Sequence, residues 1–229
     1  MKTAEATPDA GAPIIFIDPV AATPKRPRGR PRKTMDERDD GNRRQALLTA
    51  AAKLFRRKGF DATTTRDIAA AADMQSGSPF YHFKSKGALL YAVMEEGMRS
   101  AVARQRAALQ APGGATLEPE AQLRILVQVH VDVLLGPGND FVPVMLYEAR
   151  SLPLRQRKQL AQLTTDYEAL WIPVLTALHE AGQLRAPVKL ARLLILGALN
   201  WSVQWFDSKK GASLTELTDA AMALFLKES

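Results

Sequence analysis

The chain has 229 residues, no cysteine and a formal net charge of +7 at pH 7. Its length is sufficient for one large or two small domains with buried cores, and the absence of cysteine excludes disulfides, thiolate metal sites and a cysteine nucleophile. The excess charge is confined to the front, because residues 43–90 hold nine basic and three acidic side chains, whereas residues 91–229 hold fourteen of each. This asymmetry predicts that the first ninety residues bind a polyanion and that residues 91–229 are electrically neutral.

Residues 1–42 lack apolar periodicity and are predicted to form a flexible basic arm. Within it, the segment Lys-Arg-Pro-Arg-Gly-Arg-Pro-Arg-Lys at 25–33 puts six positive charges into nine residues. Its prolines and glycine oppose both helix and sheet. The apolar run at 14–17 is too short for a signal peptide or a membrane span, so a soluble, cytoplasmic protein is expected.

Three short helices are predicted between 43 and 90. The first begins near Arg43 and ends at Gly59, where a left-handed cap is expected. The second is opened by Thr64 with Asp67, a variant of the capping box. The third is expected from Ser76 to Phe83, because a proline in a first turn gives up an N–H that has no helical partner.

Longer amphipathic helices are predicted behind these three, at about 85–110, 119–135, 140–150, 154–182, 188–207 and 213–227. Pro173 should kink the helix at 154–182, and Ser213 with Glu216 forms a second capping box. No segment alternates long enough to predict a strand. The expected fold is therefore all-α, with an N-terminal three-helix domain at 43–90 and a domain of about six helices at 91–229.

The order helix, two-turn helix, tight turn and short helix is typical of a helix-turn-helix. Residues 43–90 strongly resemble the DNA-binding domain of the TetR family of bacterial transcriptional regulators. The motifs that carry the resemblance are Ala-Ala-x-Leu-Phe at 51–55, Lys-Gly-Phe at 58–60, Thr-Thr-Thr-Arg-Asp-Ile-Ala at 63–69, and Phe-Tyr-His-Phe-Lys-Ser-Lys at 80–86. The resemblance implies a sequence-specific DNA-binding regulator, usually a repressor.

The predicted DNA contacts fall into two groups. Small and polar residues at the tip of the third helix allow close approach to base edges. They are Gln75, Ser76, Gly77 and Ser78. Phosphate contacts are expected from Thr65, Arg66, Tyr81, His82, Lys84 and Lys86. His82 has the alternative of packing at the helix end, and Phe80 and Phe83 are expected in the core. The family commonly has an aliphatic residue where this chain has Pro79.

The basic arm resembles an AT-hook, in which an Arg-Gly-Arg core follows the floor of a narrow A·T-rich minor groove. The matching residues are Arg28, Gly29 and Arg30. The alternative is a polybasic tether that neutralises phosphates without sequence preference.

The back half is expected to provide a symmetry element. The helix at 188–207 is apolar nearly all round, so a partner subunit is the simplest cover for its outer face. With the last helix it would form a four-helix interface, as the family resemblance also implies, and a twofold dimer implies a palindromic operator.

The resemblance further implies a small-molecule pocket between residues 91 and 206. The segment Gly-Ala-Leu-Asn-Trp at 197–201 is similar to a branch of the family that responds to acyl-CoA thioesters. The candidate pocket residues are Tyr91, Met94, His130, Tyr147, Trp171, Asn200, Trp201 and Gln204. Ordinary core or dimer packing is the alternative for each of them.

An architectural DNA-binding protein and an enzyme are the alternatives to a regulator. An architectural, nucleoid-type DNA-binding protein without effector would show weak sequence preference and a steep salt dependence. An enzyme is not expected, because the sequence has no Gly-x-Ser-x-Gly, P-loop or metal-ligand spacing, and its three histidines are far apart. No cofactor or metal is expected.

Overall fold

The computed structural model describes residues 35–111 and 117–227. That part of the chain is helical, apart from a single antiparallel bridge between Leu184 and Leu226, which confirms the predicted all-α class. The predicted hook residues Arg28, Gly29 and Arg30 lie outside the described ranges. None of the helices within them combines the length and apolar character needed to cross a bilayer.

The N-terminal unit contains α1 (Met35–Lys58), α2 (Thr65–Ala71) and α3 (Ser78–His82). Helix α1 begins earlier than the Arg43 start predicted from apolar periodicity. The sequence at 36–40 contains four acidic residues, which the positive end of a helix favours. Gly59 follows α1 with φ +81°, which confirms the expected left-handed cap.

Local sequence signals determine where the short helices α2 and α3 begin. The Thr64 hydroxyl accepts from the Asp67 N–H at 3.1 Å, and the Asp67 carboxylate accepts from the Thr64 N–H at 3.0 Å, so the predicted capping box is confirmed. These bonds, the backbone one foremost, lower the pKa of Asp67. Pro79 lies in the first turn of α3, as expected, but α3 starts at Ser78 and leaves Ser76 in the preceding turn.

Helix α4 (Lys86–Gln110) belongs to both halves of the molecule. Its first turns place Leu89 and Leu90 in an apolar cluster with α1 and α2. Its later turns place Met98 and Ala101 in a second cluster with the C-terminal helices. A single rigid element therefore joins the two cores.

The C-terminal body adds six helices in the described part of the chain, which are α5 (Pro119–Leu135), α6 (Phe141–Glu148), α7 (Leu154–Ala169), α8 (Ile172–Glu180), α9 (Val188–Trp201) and α10 (Leu214–Phe225). The single kinked helix predicted at 154–182 is in fact two helices, with Pro173 in the first turn of α8. The helix predicted at 188–207 ends at Trp201 and continues as a 3₁₀ turn. The capping box of Ser213 and Glu216 is confirmed.

Helices α4 and α6 are in close backbone contact at Gly97. A Cβ atom there would lie 2.8 Å from the Phe141 Cβ and 3.1 Å from the Phe141 carbonyl carbon. The backbone atoms of Phe141 could move away from such a Cβ atom only if α6 itself moved. Glycine is therefore required at this crossing by space, since its backbone is helical.

We predict that Gly97→Ala destabilises the protein. Overpacking costs about 1–3 kcal/mol, which exceeds the gain of up to about 1 kcal/mol in helix propensity. Gly87→Ala on the same helix is the control, because its nearest neighbour, the Ser85 Oγ, is 3.8 Å away. Thermal unfolding measures both variants, and equal midpoints would contradict the steric account.

Candidate DNA-binding surface and effector cavity

The segment from α2 to α3 presents polar and aromatic side chains to solvent. Arg66, Gln75 and Ser76 are exposed, and Tyr81 is 80% exposed. Phe80, which was expected in the core, is 57% exposed, so that expectation is wrong. An apolar ring at this position extends the candidate DNA-binding surface and offers a contact for apolar groups such as a thymine methyl.

A tight turn sets the angle between α2 and α3. The Met74 N–H donates to the Ala69 carbonyl at 2.9 Å, and the Asp73 N–H donates to the Ala70 carbonyl at 3.2 Å. Asp73 adopts φ +55°, a conformation that aspartate tolerates better than bulkier residues. The turn thus ends α2 as a Schellman-type motif and directs the chain into α3.

The inner side of α3 is anchored to α1. Phe83 is buried, as expected, and the Arg44 guanidinium lies 5.2 Å from the centre of its ring. The imidazole of His82 is nearly buried against the Tyr81 ring, with 6% of its side chain exposed, and its Nδ1 lies 3.7 Å from an Asp40 carboxylate oxygen. His82 therefore has the alternative role of packing at the helix end.

Lys86 has a different role from the predicted phosphate contact. Its Nζ donates to the carbonyls of Phe60 at 2.8 Å, Thr63 at 3.0 Å and Asp61 at 3.4 Å. It also lies 4.2 Å from the centre of the Phe60 ring. Because these bonds occupy the ammonium group, we assign Lys86 to the support of the α1–α2 loop. Lys84 remains exposed.

A cavity of about 70 Å³ lies inside the C-terminal body, between α4, α5, α6, α7 and α9. Its wall is mostly apolar, from Met98 on α4 to Leu196 on α9. Polar groups also reach it, and they come from His130, Thr164, Tyr167, Glu168 and Asn200. A mostly apolar space with a few convergent polar groups is typical of a small-molecule site.

Two of the eight candidate pocket residues, His130 and Asn200, line this cavity. His130 is 4% exposed, and burial lowers its pKa to about 4, partly offset by the Asn200 side chain. Its imidazole is therefore neutral near pH 7. Trp171 is fully buried behind the cavity and reaches it only through other side chains.

The other five candidates do not line this cavity, so their place in an effector pocket stays a prediction. Met94 is buried in the N-terminal cluster, and Tyr91 packs against that cluster. Tyr147 and Trp201 are exposed at 45% and 65%, and Gln204 is also exposed. Periodicity identifies the apolar faces of a helix, but it does not say which face turns toward the cavity.

Sequence reasoning missed the polar residues that complete the cavity wall. Tyr167 lines the cavity, and Gln105 is fully buried behind it. The signal that could have indicated Gln105 is an amide on the otherwise apolar inner face of α4. A buried amide requires hydrogen-bond partners, and the only way to find them is to know which helices meet.

Helix α6 connects the cavity to the DNA-binding unit. Its Val142, Met145 and Leu146 line the cavity. At its C-terminal end, the Glu148 carboxylate accepts from the Phe60 N–H at 2.9 Å. Beside its N-terminal end, the Arg56 guanidinium donates to Asp140 at 2.9 Å and to the Asn139 carbonyl at 3.2 Å. Both contacts reach residues at the end of α1 or just after it.

These features define a helix-turn-helix DNA-binding regulator whose helical body contains a small, mostly apolar cavity. Two protein-family descriptions match the chain, and both agree with this assignment. "Bacterial regulatory proteins, tetR family" matches residues 47–93, and "Tetracyclin repressor-like, C-terminal domain" matches residues 116–228. No metal-binding group of three or more acidic or imidazole side chains occurs within the described ranges.

Individual proteins show the same relationship. The chain is 30% identical over 192 residues to the HTH-type transcriptional repressor KstR2 of Rhodococcus jostii (strain RHA1), covering 82% of this chain and 91% of that protein. The solved structure of the superantigen PfiT is 36% identical, covers 82% of this chain and 97% of that chain, and has a TM-score of 0.67. AibR, solved with isovaleryl coenzyme A and operator DNA, shares the fold at 21% identity, 80% and 97% coverage and a TM-score of 0.72. The chain belongs to the TetR family of transcriptional regulators.

The assignment of Lys86 to the support of the α1–α2 loop is tested by comparing its substitution with that of the exposed Lys84. We predict that Lys86→Met lowers the free energy of unfolding by about 1–3 kcal/mol, because hydrogen bonds from a charged donor are lost. It should leave the salt slope of DNA binding unchanged. Lys84→Met should do the opposite, keeping stability and reducing the slope by about 0.9. A reduced slope for Lys86→Met would restore the phosphate role.

Proposed function

We propose that the chain is a homodimeric repressor that binds a palindromic operator and leaves it when a small, mostly apolar effector enters the cavity. The observation that carries the proposal is the combination of an exposed α2–turn–α3 surface with a cavity linked to it through α6. The similarity to a protein named as a repressor supports repression as the mode of action. Cytoplasmic location, with nucleoid association on binding DNA, follows from this role.

In the proposed complex, α3 enters the major groove. Gln75 and Ser76 are exposed in the turn at its tip, with Gly77 and Ser78 following, so these positions are assigned to base edges. The N-terminal end of α2, with half-buried Thr65 and exposed Arg66, and the exposed Tyr81 and Lys84 are assigned to phosphates. The arm at 25–33 extends the footprint into A·T-rich flanks as a hook.

The proposed dimer surface lies on α9 and α10. Five large apolar side chains of α9 and the turn after it are exposed at 49–65%: Leu190, Leu193, Leu194, Trp201 and Trp205. On α10, Leu224 is 64% exposed. Large apolar side chains exposed on two helices that contact each other are typical of an interaction site. An isologous pairing of these two helices in two protomers would cover it.

The proposed effector is uncharged where it enters the cavity, because the wall is mostly apolar, His130 is neutral and the Glu168 carboxylate is paired with Arg192. The acyl group of a coenzyme A thioester satisfies this requirement. The fold itself is compatible with such a ligand, since AibR has been solved with isovaleryl coenzyme A. Effector binding would push on α6 and, through Glu148 and Arg56, displace the DNA-binding unit.

Operator specificity is tested by selecting bound duplexes from a random pool at two salt concentrations. We predict an enriched palindrome, bound at least about 10³-fold more tightly than mixed genomic DNA. Gln75→Ala should change the preferred bases, whereas Lys84→Met should weaken all sequences alike. Weak preference with a steep salt slope would instead support the architectural alternative.

The dimer surface is tested by Leu194→Glu, which would bury a carboxylate in the interface. We predict a monomer in sedimentation equilibrium and at least about tenfold weaker operator binding, because one helix-turn-helix then acts alone. Leu154→Glu is the matched control, since Leu154 is 60% exposed on α7, away from this surface, and Leu194 is 58% exposed. A dimeric Leu194→Glu variant would exclude this surface.

Coupling through α6 is tested without an effector by filling the cavity. We predict that Ala101→Leu, which adds bulk to the wall, weakens operator binding by about 5–150-fold, the usual range of allosteric coupling. Adding Glu148→Ala should abolish much of this effect, because the contact to Phe60 is lost. Ala161→Leu on the exposed side of α7 is the control. Additive effects of Ala101→Leu and Glu148→Ala would contradict the coupling.

A further inference from the structure

A chain of four buried polar side chains lies behind the cavity. The Trp171 Nε1 donates to the Gln105 Oε1 at 3.1 Å, and the Gln105 Nε2 donates to the Tyr167 hydroxyl at 2.6 Å. The Tyr167 hydroxyl lies 2.6 Å from the His130 Nδ1. All four residues are more than nine-tenths buried. Their protons are therefore fixed by the partners that each group has within the protein.

The indole determines the orientation of the amide. An indole N–H can only donate, so the atom of Gln105 that faces Trp171 is the oxygen. The amide nitrogen then faces Tyr167, and it also lies 3.4 Å from the Leu126 carbonyl, which can only accept. The two N–H groups of this nitrogen therefore each have an acceptor, the Tyr167 hydroxyl and the Leu126 carbonyl. Both contacts agree with the amide orientation that Trp171 requires.

The orientation of the amide in turn determines the tyrosine proton. The Tyr167 hydroxyl already accepts from Gln105, and its second polar neighbour within the described residues is the His130 Nδ1. If the hydroxyl donates to Nδ1, its hydrogen is satisfied. If Nδ1 donated instead, the hydroxyl hydrogen and the other imidazole nitrogen would both be buried without a partner, which costs more. The hydroxyl therefore donates, and Nδ1 accepts.

This arrangement puts the single proton of the neutral His130 imidazole on Nε2. That nitrogen is buried and makes no hydrogen bond within the described residues, and His130 lines the cavity. The Asn200 side chain on α9 lines the same space and interacts with the imidazole without forming a full hydrogen bond to Nε2. A donor without a partner in an apolar cavity is unusual, and it indicates a ligand that supplies an acceptor.

We propose that the His130 Nε2–H is the recognition donor of the cavity, and that it selects an uncharged ligand with an oxygen acceptor, such as a ketone, ester or thioester carbonyl. This inference rests on the proposed effector role of the cavity and deepens it. Trp171, Gln105 and Tyr167 are positioning residues, because they hold the imidazole in the donor tautomer. Asn200 lines the same cavity, so its amide is also available to the ligand.

The same geometry predicts what the cavity rejects. A cation would meet an N–H donor instead of an acceptor, and the Glu168 carboxylate at the cavity wall is already paired with the Arg192 guanidinium. A carboxylate would lose its hydration for one neutral hydrogen bond, next to that same carboxylate. A pure hydrocarbon would leave Nε2–H unsatisfied. Selection therefore depends on one oxygen atom in an otherwise apolar ligand.

The tautomer is measured first, on the unmodified full chain labelled with ¹⁵N-histidine. Long-range ¹H–¹⁵N spectra distinguish a protonated from an unprotonated ring nitrogen, and the three histidines can be assigned by single substitutions. We expect His130 to carry its proton on Nε2. Protonation on Nδ1 would overturn the inference without the need for any variant.

Recognition is measured with three probes of matched shape: cyclopentanone, cyclopentane and cyclopentylamine. We expect cyclopentanone to shift the Nε2–H resonance downfield and cyclopentylamine not to bind. His130→Phe should weaken cyclopentanone binding about tenfold and leave cyclopentane unaffected, whereas His130→Gln, which retains a donor, should lose less. An unmoved resonance, or equal losses for both rings in His130→Phe, would overturn the proposal.

Release of operator DNA by the same probes separates this inference from the proposed function. If cyclopentanone binds through Nε2–H but does not weaken DNA binding, the donor assignment stands and the effector role of the cavity fails. If it releases DNA without moving the Nε2–H resonance, the regulator function stands and the donor assignment fails.

Discussion

The structure depends on α4 being buried at both ends in separate apolar clusters. Leu89 and Leu90 anchor it among the DNA-binding helices, while Met98 and Ala101 anchor it in the C-terminal body. Burial of each large side chain contributes about 1.5–3 kcal/mol, so detaching either end costs several kcal/mol. In the proposed coupling, a change at the cavity would reach the DNA-binding surface by displacement of whole helices, since local melting of α4 costs too much free energy.

Helix α6 is the second connection between the same two bodies, and its contacts differ in kind. It crosses α4 at Gly97 without space for a Cβ, and its ends are held by polar contacts from Glu148 and Asp140. Tightly packed helices such as α4 and α6 move together, whereas the hydrogen bonds at the ends of α6 can break and re-form at a low cost in free energy. We expect this combination to allow two arrangements of the body, which regulation by a small ligand would require.

The DNA-binding half could be predicted from the sequence because its signals are local. The capping box of Thr64 and Asp67, the cap at Gly59 and the position of Pro79 each act within one helical turn. The role of Lys86 could not, because its three carbonyl partners lie more than twenty residues away in the chain. The cavity likewise depends on five helices meeting, so the sequence could not show that His130 and Asn200 line one space while the other candidates do not.

The central claim is that the α2–turn–α3 surface reads base edges twice, through a paired body with α4 as its rigid support. Hydroxyl-radical footprinting on the selected operator tests it most directly. The account predicts two protected patches related by a twofold axis, both lost together when the dimer surface is disrupted. Uniform protection along the duplex, or a single patch that persists in a monomer, would contradict it.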